Sequence, residues 1–137
     1  MSDTTRRLAL VTTARSDYNL MQPLMSAAQA DSRFDARIFV AAMHLLPRFG
    51  ETWRLVEADG LPIQEKVPFL GEDDTRPALA AGLARGAGVF AEALERQVPD
   101  IVVLLGDRIE MMPLAMATAA LGLPLAHLCG GDITEGA

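Results

Sequence analysis

Four short polar stretches each follow an apolar run, and they hold the side chains most able to do chemistry. The first is Thr12-Thr13-Ala14-Arg15-Ser16-Asp17-Tyr18. A helix opening here would turn its unpaired N–H groups toward an anion, and Arg15 would add a two-pronged grip on a phosphate. The same residues also read as an ordinary cap, with Ser16 or Asp17 at the helix end and Arg15 in water. They form neither G-x-G-x-x-G nor a P-loop, which argues against the usual dinucleotide or nucleoside triphosphate site. The second stretch, Ala42-Met43-His44-Leu45, offers an imidazole that can donate to a substrate hydroxyl or phosphate. A lone histidine among apolar neighbours is, however, more often a satisfied core residue.

In the third stretch, Leu105-Gly106-Asp107-Arg108-Ile109-Glu110, Gly106 lets the chain turn and sets Asp107 at a strand mouth. Asp107 reads as a general base that Arg108 keeps ionised, or as the partner of Glu110 in a capping box. The fourth runs from His127 through Cys129 and Asp132 to Ala137. Cys129 would be a nucleophile only with a depressed pKa and a base nearby. At the end of a buried strand it otherwise simply packs. His127 points either into the core or into a crevice. No metal site is expected, because one His and one Cys at this spacing lack a second pair of ligands.

These stretches need a scaffold that gathers them at one edge, and the apolar pattern predicts one. Strands are expected at residues 8–13, 36–41, 61–67, 101–105 and 125–128. The third carries Pro62, Glu65 and Lys66, which suits a sheet edge. Helices are expected at 19–30, with Leu20, Leu24, Ala27 and Ala28 inward, from 47 or 48 to 58, at 75–97 and at 110–121. Gly82, Gly86 and Gly88 either weaken the third helix or mark close packing. Solid strands alternating with helices predict an α/β fold, a doubly wound, mostly parallel, Rossmann-like sheet covered on both faces. The C-terminal ends of its strands share one edge, where such sheets bind ligands.

Composition narrows the partners. The chain of 137 residues is long enough for one domain with a core. Its apolar runs are strand-length, well short of the roughly 20 residues a membrane span needs. Arg6-Arg7 leads into a short strand and not a signal-peptide core. The lone cysteine excludes an internal disulfide and fits a reducing cytoplasm. A net charge of -6 argues against a nucleic-acid partner. It leaves small anions open, since those need only one or two placed arginines and a helix end.

In order along the chain stand Thr13-Ala14-Arg15-Ser16-Asp17-Tyr18, Met43-His44-Leu45, Phe49-Gly50-Glu51-Thr52, Leu105-Gly106-Asp107-Arg108-Ile109-Glu110-Met111 and His127 to Ala137. Together they resemble the N-terminal half of the UDP-N-acetylglucosamine 2-epimerase family, in the hydrolysing branch that serves sialic acid and related nonulosonic acid synthesis. The resemblance implies two Rossmann-like domains in the glycosyltransferase-B arrangement, with the active site between them. Residues 1–137 would then be an incomplete first domain, the second nucleotide-binding domain would lie outside it, and one flank of the core would be uncovered.

The implied reaction removes the C2 proton of UDP-N-acetylglucosamine or a related nucleotide sugar and expels UDP. Water then adds to the glycal-like intermediate to give N-acetylmannosamine. This needs a base at C2, an acid or cationic clamp for the departing diphosphate and a group to guide water, and the resemblance implies no cofactor. By position, it assigns Asp107, Cys129 and Asp132 to catalysis. It assigns Arg15, Asp17, His44, Arg108 and His127 to the substrate, with Arg15 at the phosphates. Cys129 departs from the glutamate or histidine often found there, and a thiol of reference pKa about 8.5 stays mostly neutral. Asp132 is one carbon shorter than the usual glutamate. The resemblance also implies a homo-oligomer at full length, a cytoplasmic location, and little activity for this chain alone. The alternative is a non-catalytic domain that binds a nucleotide sugar, another anion or a partner.

Overall fold

A computed structural model describes residues 5–131. Along the chain run β1 (Arg6–Thr12), α1 (Arg15–Ala30), β2 (Phe34–Ala41), α2 (Trp53–Ala58), β3 (Ile63–Val67), α3 (Arg76–Gln97), β4 (Ile101–Leu105), α4 (Met112–Ala120) and β5 (Leu125–Leu128). Short 3-10 turns occupy Ala42–Leu45, Pro47–Phe49 and Ile109–Met111. The five strands form one sheet in the order β3-β2-β1-β4-β5, and every neighbouring pair is parallel. β3 is an edge strand, as its Glu65 and Lys66 and the Pro62 just before it predict.

From β1 the chain steps one way to β2 and β3, then crosses back to β4 and on to β5. Right-handed crossovers in opposite directions place their helices on opposite faces. Leu10, Ile38, Val40 and Val103 pack against Tyr18, Met21 and Met25 of α1 and Val56 of α2. Ala9, Val11, Phe39 and Val102 pack against Phe90 and Leu94 of α3 and Leu114 of α4. Successive strand residues thus serve opposite cores, and that is why the strands read as solid apolar runs. Among the described residues no helix is long and apolar enough to cross a membrane.

Three details differ from the expectation. α1 starts at Arg15, one turn earlier than Asn19, because the Asp17 carboxylate accepts the Ala14 N–H at 2.7 Å and closes a first turn. Its buried face is Tyr18, Met21, Met25 and Ala28, whereas Leu20 is 66% exposed. The second helix is only Trp53–Ala58. Gly50 and Glu51 take left-handed φ values of 82° and 47°, which breaks the helical run and folds Thr52 back toward His44. Within α3 the glycines separate. A Cβ on Gly86 would lie 2.8 Å from Pro113 and one on Gly82 2.8 Å from the Phe69 carbonyl, while Gly88 faces open space.

Candidate functional site

The sheet order reverses between β1 and β4, so the loops leaving these two strands diverge and open a crevice. The first loop is fixed by Asp17, which is buried. Its Oδ2 accepts the Thr13 N–H at 2.8 Å, and its Oδ1 accepts the Ala14 N–H at 2.7 Å. The hydroxyls of Thr12 and Thr13 reach Oδ2 at 3.2 and 3.4 Å. Both carboxyl oxygens are therefore engaged by the loop itself. This turn aims the N-terminus of α1 and the exposed Arg15 into the crevice region.

His44 lies directly behind this loop and is fully buried. Its Nε2 meets Thr12 Oγ1 at 2.9 Å, and its Nδ1 meets Thr52 Oγ1 at 2.8 Å. Burial depresses its pKa from 6.5 to about 4, although nearby Asp17 and the Ala14 carbonyl act in the opposite direction. The imidazole is thus neutral near pH 7, and both its nitrogens face threonine hydroxyls. It ties the turn after β2 to β1 and stands behind the crevice wall.

The second loop carries Asp107 and Arg108. Asp107 is exposed and lines a pocket of about 330 Å³ together with Ser16, Asp17, Gly106, Arg108 and Cys129. Arg108 does not pair with Asp107: its Nη2 bonds Glu110 Oε1 at 3.1 Å and reaches Met43 Sδ at 2.9 Å. The expected capping box is also absent, since the turn Ile109–Met111 has no side-chain cap and Glu110 answers Arg108. Arg108 Nε is buried and has no hydrogen-bond partner among the described residues. Arg15 and Arg108, 93 positions apart, both line a second pocket of about 250 Å³ with Ala14, Ser16, Met43 and Thr52.

At β5, His127 Nε2 meets the Gly106 carbonyl at 2.6 Å, so that nitrogen carries the proton. The ring also fills the space where Gly130 would carry a side chain. His127 thereby fastens the β5 loop to the β4 loop. Cys129 is exposed on the pocket wall with a left-handed φ of 54°. Asp132 lies outside the described residues. No cluster of three or more His, Cys, Asp or Glu able to hold a metal occurs among the described residues.

Arg15, Asp107, Arg108 and Cys129 are thus brought to one crevice, with Asp17, His44 and His127 holding its walls. Thr12 and Glu110 carry no binding signal in the sequence, and Thr52 stands there only inside a motif. Hydroxyl partners across such separations leave no periodic signal in a sequence.

Residues 26–137 match the family model described as UDP-N-acetylglucosamine 2-epimerase. The chain belongs to this family. It is 34% identical over 132 residues to the GDP/UDP-N,N'-diacetylbacillosamine 2-epimerase (hydrolyzing) of Campylobacter jejuni, covering 96% of this chain and 34% of that protein. To the UDP-N,N'-diacetylbacillosamine 2-epimerase (hydrolyzing) of Legionella pneumophila it is 33% identical over 127 residues, covering 93% of this chain and 34% of that one. The structure of UDP-GlcNAc 2-epimerase from Neisseria meningitidis bound to UDP-GlcNAc superposes with a TM-score of 0.79 at 15% identity, over 95% of this chain and 34% of that one. This 2-epimerase family chain therefore spans about a third of the length of the relatives it matches. The doubly wound, parallel, Rossmann-like sheet expected from its sequence is the fold it shares with solved 2-epimerases.

Proposed function

We propose that this chain supplies the first-domain wall of the active site in a hydrolysing 2-epimerase acting on a UDP-linked 2-acetamido sugar. The observation that carries the reading is the joint presence of Arg15 and Arg108 on one pocket, beside the N-terminus of α1. Two guanidinium groups and a helix end form a ready receptacle for a diphosphate. Among the described residues the buried Arg108 Nε is a donor with no acceptor.

In this reading the diphosphate is held and its departing charge stabilised at Arg15 and Arg108. Asp107, on the adjoining pocket, moves a proton at the sugar. Loss of the C2 proton with cleavage of the C1–O bond releases UDP, and water then adds to the unsaturated sugar to give the free 2-epimer. Cys129 lines the same pocket, where Asp107 is the exposed carboxylate while Asp17 is engaged by its own loop. Two relatives named for N,N'-diacetylbacillosamine favour a diacetamido sugar over UDP-N-acetylglucosamine. A cytoplasmic setting goes with the reading, supported by the single cysteine of the chain.

Calorimetric titration of the chain with UDP tests the clamp. Binding is expected, and Arg15→Ala is expected to weaken it by about tenfold or more, as for loss of a charge-assisted contact. Release of UDP from each of the two nucleotide sugars by the complete polypeptide tests the chemistry. Binding without turnover would leave the non-catalytic alternative standing, and equal UDP affinity in Arg15→Ala would end the clamp.

A further inference from the structure

Thr52 stands at the N-cap of α2, where a threonine hydroxyl ordinarily accepts a backbone N–H of the first turn. Here the backbone is helical at φ -65° and ψ -4°, and no side-chain cap forms. The hydroxyl meets His44 Nδ1 at 2.8 Å instead, and Thr52 lines the same pocket as Arg15 and Arg108.

The direction of that bond follows from the groups behind it. Thr12 Oγ1 has the Asp17 carboxyl at 3.2 Å and the Ala14 carbonyl at 3.4 Å, and both can only accept, so its single proton is directed to this pair, the carboxyl being nearer. Toward His44, at 2.9 Å, it is left to accept, which places the imidazole proton on Nε2. A neutral ring then has a bare Nδ1, and the Thr52 hydroxyl must donate to it. The only proton on Thr52 Oγ1 is directed inward, and what remains for the pocket is a lone pair.

We propose that Thr52 is a specificity-determining hydrogen-bond acceptor for an N–H or O–H of the sugar, and that His44 is the positioning residue that fixes its polarity. The inference rests on the functional reading above. A phosphate oxygen offers no proton to such an atom, so Thr52 discriminates against seating the diphosphate at its end of the pocket. The donors that fit are a sugar hydroxyl or the acetamido N–H.

The full chain has two histidines, so ring-nitrogen NMR reads the polarity directly. His44 is expected in the Nε2-protonated form at neutral pH, and an Nδ1-protonated or cationic ring overturns the proposal. Titrations with UDP, UDP-glucose and UDP-N-acetylglucosamine read the contact. Thr52→Val is expected to weaken UDP-N-acetylglucosamine about fivefold while leaving UDP unchanged, and Thr52→Ser to stay near the wild type. Loss confined to UDP-N-acetylglucosamine assigns the acetamido N–H, and equal loss for UDP-glucose assigns a hydroxyl. A merely structural Thr52 would weaken UDP as much as the sugar nucleotides. That result, or no loss at all, overturns the inference while leaving the clamp intact. Failure of the wild-type chain to bind any of the three would overturn the functional reading and the sugar contact together.

Discussion

Asp107 and His44 lie near one another's loops yet belong to different chemical worlds, one carboxyl open to a pocket and one imidazole sealed behind it. On the proposed function, Asp107→Asn is expected to lower turnover by about two orders of magnitude, the usual scale for a group moving a proton in the transition state. UDP affinity measured in parallel should hardly change. Near-normal turnover would remove Asp107 from the chemistry. His44 makes a different prediction. Its pKa is 6.5 when unfolded and about 4 when folded, so the unfolded chain binds more protons between those values. The contribution is fully present above about pH 6.5 and is lost as pH falls toward 4, a matter of about 3 kcal/mol. Urea melts across this range should show it, and His44→Asn should flatten that part of the curve. An unchanged slope in the variant would place the acid sensitivity elsewhere. In the sequence His44 is open to both a ligand and a core reading, the core one the commoner, since a single imidazole among apolar neighbours carries no mark of which hydroxyls it will meet.

Helix α3 illustrates the element scale. Gly82, Gly86 and Gly88 are indistinguishable in sequence, yet α4 and the Phe69 segment press on the first two and leave the third in water. Gly86→Ala is expected to destabilise by about 1–3 kcal/mol, because Pro113 and Phe69 must shift. Gly88→Ala should stabilise by about 0.5–1 kcal/mol through helix propensity alone. Chemical denaturation of the two variants decides it, and opposite signs are required. The misjudged face of α1 has a similar origin. Leu20 and Leu24 look like the inward pair, but the start of the helix, set by Asp17, rotates Met21 and Met25 onto the sheet instead. A helix whose phase is set by one carboxyl at its first turn cannot be oriented from its leucines.

At the scale of the whole molecule, the proposed site is shared by two loops that only the sheet brings together. A ligand held at both Arg15 and Arg108 therefore binds the folded chain and not the unfolded one. UDP at a hundredfold its Kd should add about 2.7 kcal/mol to the unfolding free energy, visible as a higher Tm. Either Arg15→Ala or Arg108→Ala should shrink that shift, and a full shift in both would move the anion site elsewhere. The alternation of solid strands with helices, the edge character of β3 and the family resemblance were legible in the residues themselves. Each depends on local patterning, turn chemistry or short motifs, all of which are written in consecutive positions. Strand order, the partner of Arg108, the sealing of His44 and the polarity of Thr52 were decided by the tertiary structure. These depend on which atoms meet across long stretches of chain, and hydrogen-bond direction exists only once both partners are in place.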